Sequence, residues 1–139
     1  MESATFKTNA KNILVSGHRG GMLDYENSLA CFKLAIENGF KEIEFDIWLT
    51  SDKVPIVYHG VKGTVGLDES SQGLSKEEKI KELTLKQIKS YKLPNGEEIP
   101  TFEELLELCA GKIVLNVEIK DPEKEVCQIV MDLLIQYEC

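Results

Sequence analysis

The chain has 139 residues, 42% of them hydrophobic and 29% charged, an ordinary globular balance that fits one domain with its own core. A formal net charge of −8 argues against nucleic acid or anionic membrane as a partner, because both need clustered Lys and Arg. There is no run of about 18 apolar residues to span a bilayer, residues 1–12 read as a polar N-terminal tail without a secretory signal, and Cys31, Cys109, Cys127 and Cys139 lack the CxxC spacing of a zinc site and suggest no disulfide framework, so a reducing, cytoplasmic location is expected.

Ile13-Leu14-Val15 predicts a short buried strand that ends in the glycine-rich turn Ser16-Gly17-His18-Arg19-Gly20-Gly21. Standing alone, His18 would read as a surface loop histidine. Ser28 is a helix N-cap, Leu29, Phe32, Ala35 and Ile36 then share a stripe at helical spacing, and Asn38-Gly39 supplies the stop. The helix leads into Glu42-Ile43-Glu44-Phe45-Asp46-Ile47-Trp48-Leu49, where Glu42, Glu44 and Asp46 share one face of a strand and Ile43, Phe45 and Ile47 the other. By itself this alternation fits a half-solvated strand as well as one that aims carboxylates at a hard cation. The strand–helix–strand order changes the balance: it predicts parallel strands joined by a right-handed crossover, with the apolar face under helices and the acids facing inward, as near the mouth of a closed barrel.

Ser51-Asp52-Lys53 predicts a turn and Val54–Tyr58 a third strand, delivering His59-Gly60 to a strand end equivalent to that of His18. Residues 61–79 are polar and glycine-containing and read as a loop or insertion on the mouth side. A short helix is expected from Thr84 to Ser90, then a turn at Pro94-Asn95-Gly96. Thr101 with Glu104 forms a capping box for a helix carrying Phe102, Leu105, Leu106 and Cys109, ended by Gly111. A fourth strand, Ile113–Lys120, puts Asn116, Glu118 and Lys120 on one face and Leu115, Val117 and Ile119 on the other. Asp121-Pro122 predicts the cap and first position of a last helix, whose stripe Val126, Ile129, Val130, Leu133, Leu134 and Tyr137 is core.

Three parallel-type strands and one turn thus aim His18, Arg19, Glu44, Asp46, His59, Glu118 and Lys120 at one end. Carboxylates from two strands can hold Mg2+ or Ca2+. Arg and Lys suit a phosphate, and two histidines can act as base and acid on either side of a displacement. Together these groups describe metal-assisted phosphoester cleavage.

His18-Arg19-Gly20, Glu26-Asn27-Ser28, Glu44–Asp52, Val54–His59, Ile99-Pro100-Thr101 and Asn116–Lys120, in that order, resemble the glycerophosphodiester phosphodiesterases from Gly17 to Lys120. The resemblance implies an α/β fold of the (β/α)8 TIM-barrel type with its site at the C-terminal ends of the strands. It implies Glu44, Asp46 and Glu118 as ligands of Mg2+ or Ca2+, His18 and His59 as acid and base, and Arg19 and Lys120 as phosphate-binding residues. Glu26 and Asn27 would support or contact the substrate. That substrate would be a small-molecule glycerophosphodiester, split into sn-glycerol 3-phosphate and an alcohol.

Two features depart from the family pattern. Gly60 stands where the family usually has Asp after the second histidine. The chain, read throughout 1–139 as a partial domain, has about four barrel strands where a whole barrel of this type needs roughly 250 residues. It looks like a first half, to be completed by a missing C-terminal half or by a second copy in a homodimer; the alternative is a non-catalytic relative serving as an interaction module.

Overall fold

The computed structural model describes residues 14–21, 26–60, 63–65 and 78–139. The N-terminal tail at 1–12 and most of the 61–79 segment lie outside the described residues.

The element order is β1 (Ser16–Gly17), α1 (Leu29–Glu37), β2 (Glu42–Leu49), β3 (Pro55–Val57), β4 (Thr64–Val65), β5 (Glu78–Lys79), α2 (Leu85–Ile88), α3 (Phe102–Cys109), β6 (Val114–Ile119) and α4 (Lys124–Gln136), with 3-10 turns at His18–Gly20 and Ile80–Glu82. The small antiparallel pair β4–β5 closes the base of the 61–79 segment. Ser28 caps α1 by accepting from the Cys31 N–H, and both Thr84–Gln87 and Thr101–Glu104 form reciprocal capping boxes for α2 and α3.

β2 is the axis of the main sheet. On one edge it pairs in parallel with β6 from Glu42↔Val114 to Ile47↔Ile119. On its other edge it pairs in parallel with β1 at its start, Ser16↔Glu42 and Gly17↔Ile43, and antiparallel with β3 at its end, Ile47↔Val57 to Leu49↔Pro55. The third strand is therefore antiparallel, a correction to the expectation of four parallel strands. The reason is the connection: Thr50–Val54 is a tight turn, tied by Thr50 Oγ1 to Asp52 at 2.7 Å and to the Val54 N–H at 2.9 Å. A parallel crossover would need a dozen or more residues.

This pairing positions the site. β1 climbs and β3 descends along the same edge of β2, so the segments that follow them meet beside the middle of β2. His18 and His59 are not at equivalent strand ends: one lies in the turn after a rising strand, the other after a returning hairpin.

Ile43, Phe45 and Ile47 of β2 are fully buried under the helices, as the alternation predicts. They pack with Phe32 and Ala35 of α1, Phe102, Leu105, Leu106 and Cys109 of α3, and Val126 and Val130 of α4. Phe45 meets Phe32 edge-on at 5.9 Å between ring centroids and lies 5.7 Å from Phe102. A second cluster, Ile56, Val65, Ile80, Ile88 and Ile99, sits under the hairpin side, with Trp48 and Tyr58 packed on it.

Two further expectations are corrected. Leu14 and Val15 are 54% and 37% exposed rather than buried, and β1 is only Ser16–Gly17, because no described element covers them. Asp121-Pro122 does not begin the last helix. Asp121 is buried, and while one oxygen accepts from the Glu123 N–H at 2.9 Å, the other is drawn to the Leu49 N–H at the end of β2 at 3.2 Å, so α4 starts at Lys124.

Candidate active site

The register of β2 against β6 sets Asp46 opposite Glu118 and Glu44 opposite Asn116. Carboxylate oxygens of Glu44, Asp46 and Glu118 come within 4.8 Å of one another. Glu42, lower on the same face, instead accepts a hydrogen bond from Asn116 at 3.2 Å, a structural contact.

Arg19 reaches this face through a left-handed backbone, φ 51°, unusual for a non-glycine residue. The conformation turns its N–H toward Glu44, donating to Oε2 at 3.0 Å. Gly20 follows at φ 92°, packed so closely that a Cβ there would stand 2.5 Å from Cys31 Sγ. Only glycine fits at that point.

The Arg19 guanidinium is gripped by Glu26, with Nη1 at 3.2 and 3.0 Å from its two oxygens. Its Nη2 lies 2.9 Å from His59 Nε2. Because arginine can only donate, Nε2 is the acceptor, and Nδ1 carries the ring proton toward Asp46 Oδ2 at 3.3 Å. Asp46, 1% exposed, also accepts from Asn27 Nδ2 at 3.1 Å and lies 3.4 Å from Lys120 Nζ. It is the hub on which histidine, arginine, asparagine and lysine converge.

Lys120 bridges to Glu118 at 2.6 Å. The hydrogen bond from Lys120 holds Glu118 below the usual carboxylate range, and Glu118 in turn raises the Lys120 ammonium. Burial pushes Glu44 up, with neighbouring Asp46 and Glu118 adding to the rise while the Arg19 N–H and His18 oppose it. His18 is 69% exposed at the rim, with Nε2 3.8 Å from Glu44 Oε2.

All nine residues singled out in the sequence, His18, Arg19, Glu26, Asn27, Glu44, Asp46, His59, Glu118 and Lys120, lie in one connected cluster of contacts. Glu26 and Asn27 stand behind others, on Arg19 and Asp46 respectively. Among the described residues, three buried polar side-chain atoms lack a hydrogen-bond partner, Arg19 Nε, Asn27 Oδ1 and Glu44 Oε1, and all three belong to this cluster. An unpartnered carboxylate oxygen beside two further carboxylates is the donor set a hard divalent cation needs, so the residues fit such an ion.

Sequence reasoning missed Trp48. The period-two rule places Trp48 on the same face as Glu44 and Asp46, which could have marked it; its indole N–H donates to the His59 carbonyl at 3.0 Å.

The fold is that of a partial (β/α) barrel, with the acidic cluster of Glu44, Asp46 and Glu118 on one face of β2 and β6. Residues 18–134 match the glycerophosphoryl diester phosphodiesterase family, and the chain belongs to that family. It is 39% identical over 116 residues to a glycerophosphodiester phosphodiesterase of Caldanaerobacter subterraneus, covering 77% of this chain and 45% of that protein. It is 35% identical over 102 residues to human glycerophosphodiester phosphodiesterase 1, covering 66% of this chain and 29% of the human protein. Among solved structures, an Oleispira antarctica phosphodiesterase in complex with the product sn-glycerol-3-phosphate superposes with a TM-score of 0.75 at 26% identity, covering 90% of this chain and 53% of the other. The Thermotoga maritima glycerophosphodiester phosphodiesterase gives 0.72 at 28% identity, with 91% and 51% covered. The chain spans about half the length, or less, of the curated relatives it matches. Among the described residues no helix is long and apolar enough to cross a membrane.

Proposed function

We propose that this chain carries the catalytic face of a metal-dependent hydrolase that splits glycerophosphodiesters into sn-glycerol 3-phosphate and an alcohol. The observation that carries the reading is the convergence of three carboxylates, two histidines, Arg19 and Lys120 around the Glu44–Asp46 level of β2. Glu44, Asp46 and Glu118 would hold Mg2+ or Ca2+, which when bound supplies polarisation of a phosphate oxygen and a lowered pKa for the attacking hydroxyl. Arg19 and Lys120 grip the phosphate, the arginine as a fork and the lysine as a point charge. Glu26 keeps Arg19 in place, and Asn27 steadies Asp46.

His59, with its ring proton on Nδ1 against Asp46, presents Nε2, which Arg19 Nη2 releases on turning to the phosphate, and takes the proton of the attacking group, the glycerol 2-hydroxyl or water. His18, exposed at the rim, gives its proton to the departing alkoxide; where the 2-hydroxyl attacks, the cyclic phosphate it forms is then opened by water, with the two histidines exchanging roles, to give sn-glycerol 3-phosphate. The four free cysteines fit a reducing compartment such as the cytoplasm. Replacing His18 or His59 with Ala should lower glycerophosphocholine turnover about 10²–10⁴-fold; unchanged turnover in either variant removes that histidine from the mechanism.

A second reading is favoured by one observation. Among the described residues β6 pairs only with β2, and Val114 on it is 56% exposed. The chain would then act as a module that joins another polypeptide, a second copy or a C-terminal half, before any turnover occurs.

A further inference from the structure

Trp48 continues the acid-bearing face of β2, one alternation beyond Asp46. Its indole Nε1–H donates to the backbone carbonyl of His59 at 3.0 Å, and its ring packs on the cluster around Ile56 and Ile80. Two glycines lie against the ring. Gly60 has φ +63°, and a Cβ there would stand 3.3 Å from Trp48 Nε1, Ile80 Cδ1 and the Thr64 carbonyl oxygen. Gly63 has φ +78°, and a Cβ there would stand 3.2 Å from the Cη2 and Cζ3 atoms of the indole. Both positions combine a left-handed backbone with a close approach to Trp48.

His59 is held at three points: Asp46 and Arg19 on the ring, and Trp48 on the backbone. The first two have other work in the proposed reaction, Asp46 toward the cation and Arg19 toward the phosphate. The indole N–H has none. It is the hold on His59 that persists when Arg19 turns to a ligand.

We infer that Trp48 is the positioning residue for His59, and that Gly60 is required beside it. This explains why a glycine follows the second histidine. A side chain at position 60 would press on the indole N–H edge and loosen its bond to the His59 carbonyl. Trp48 fixes the His59 loop, and an acid placed at position 60 lowers the rate instead of raising it. The kinetic part of the inference rests on the proposed hydrolysis; the hold itself does not.

The test has two arms on the full chain. In the first, glycerophosphocholine hydrolysis with Mg2+ is measured for wild type, Trp48→Phe and Gly60→Asp at a temperature where each is folded. Trp48→Phe keeps the ring and removes the N–H, and is expected to lower kcat about 10- to 100-fold with KM within about twofold, the signature of a displaced proton acceptor rather than of lost binding. Gly60→Asp is expected to lower kcat as well, and the double variant to be no worse than the poorer single one. A Trp48→Phe enzyme with wild-type kcat, or a Gly60→Asp enzyme faster than wild type, overturns the inference.

The second arm needs no turnover. Trp48 is the only tryptophan of the chain, so its indole N–H gives a single NMR resonance. That proton is expected to be protected from solvent exchange in wild type. The His59 ring signal, one of two histidine signals, is expected to move or broaden in Trp48→Phe while the His18 signal stays. An unprotected indole proton, or a His59 signal indifferent to the substitution, overturns the hold. If wild type hydrolyses nothing, the proposed hydrolysis fails for this chain, and the NMR arm alone decides the role of Trp48. Should Trp48→Phe not fold, exchange of the wild-type indole decides it.

Discussion

Asp46 accepts from Asn27 and His59 and is approached by Arg19 and Lys120, yet its carboxylate also belongs to the three-acid cluster with Glu44 and Glu118. Glu44 is the member whose conversion to Gln is cleanest to interpret, because Oε1 has no protein partner and the amide oxygen can still accept from the Arg19 N–H in place of Oε2. Mg2+ or Ca2+ at 100 times its dissociation constant should stabilise the wild-type chain by about 2.7 kcal/mol, read as a rise in Tm. In Glu44→Gln that rise should vanish, while the Tm without cation stays close to wild type; a Tm rise retained in the variant argues against Glu44 as a ligand. The acids were legible in the sequence because strand parity alone puts Glu44 and Asp46 on one face. Trp48 was not, because an aromatic residue at the end of a polar face reads as core until its N–H is seen on the His59 carbonyl.

At the scale of elements, the helices were the easier part, because their ends are written in local chemistry. The Thr101–Glu104 box is an example, with Glu104 Oε2 accepting from the Thr101 N–H at 2.7 Å and Thr101 Oγ1 accepting from the Glu104 N–H at 3.1 Å. Thr101→Ala should cost about 1 kcal/mol in denaturant unfolding; no change in midpoint would show that α3 does not depend on its cap. Burial works to raise the Glu104 pKa, but hydrogen bonds from Lys89 and the Thr101 N–H outweigh it, and the folded value lies below the ordinary one. The sign follows: this contribution to stability is present above the unfolded glutamate pKa and is lost as pH falls through the lowered folded value, and Glu104→Gln should flatten that part of the stability–pH curve. Strand direction was harder to read. The third strand turns back because Thr50–Val54 is too short for a crossover, and the expectation of a parallel strand followed the barrel pattern over the connection length. The error matters for the site, since the hairpin is what carries His59 down beside Asp46. β2 itself anchors the core, so Phe45→Ala should cost about 3–5 kcal/mol, measured by denaturant unfolding; a cost below 1 kcal/mol would mean that the helices do not rest on that strand.

At the scale of the whole molecule, the described residues close the apolar face under the helices but leave strand edges at the sheet margins unpaired. Leu14 is 54% exposed at the β1 margin and Val114 56% at the β6 margin, and Met131 and Ile135 of α4 are 53% and 69% exposed. Open strand edges with apolar neighbours favour association. Light scattering of the purified chain should therefore give a mass above the 15.6 kDa of a single copy; a clean monomer at high concentration would show that these margins tolerate water. The proposed hydrolysis is tested most directly by glycerophosphocholine turnover by the purified chain, with its mass established, in Mg2+ or Ca2+ and again in excess chelator. Hydrolysis at the three-acid centre predicts release of sn-glycerol 3-phosphate that stops on chelation and returns when the cation is restored. No release at any cation concentration, or release indifferent to chelator, would contradict it.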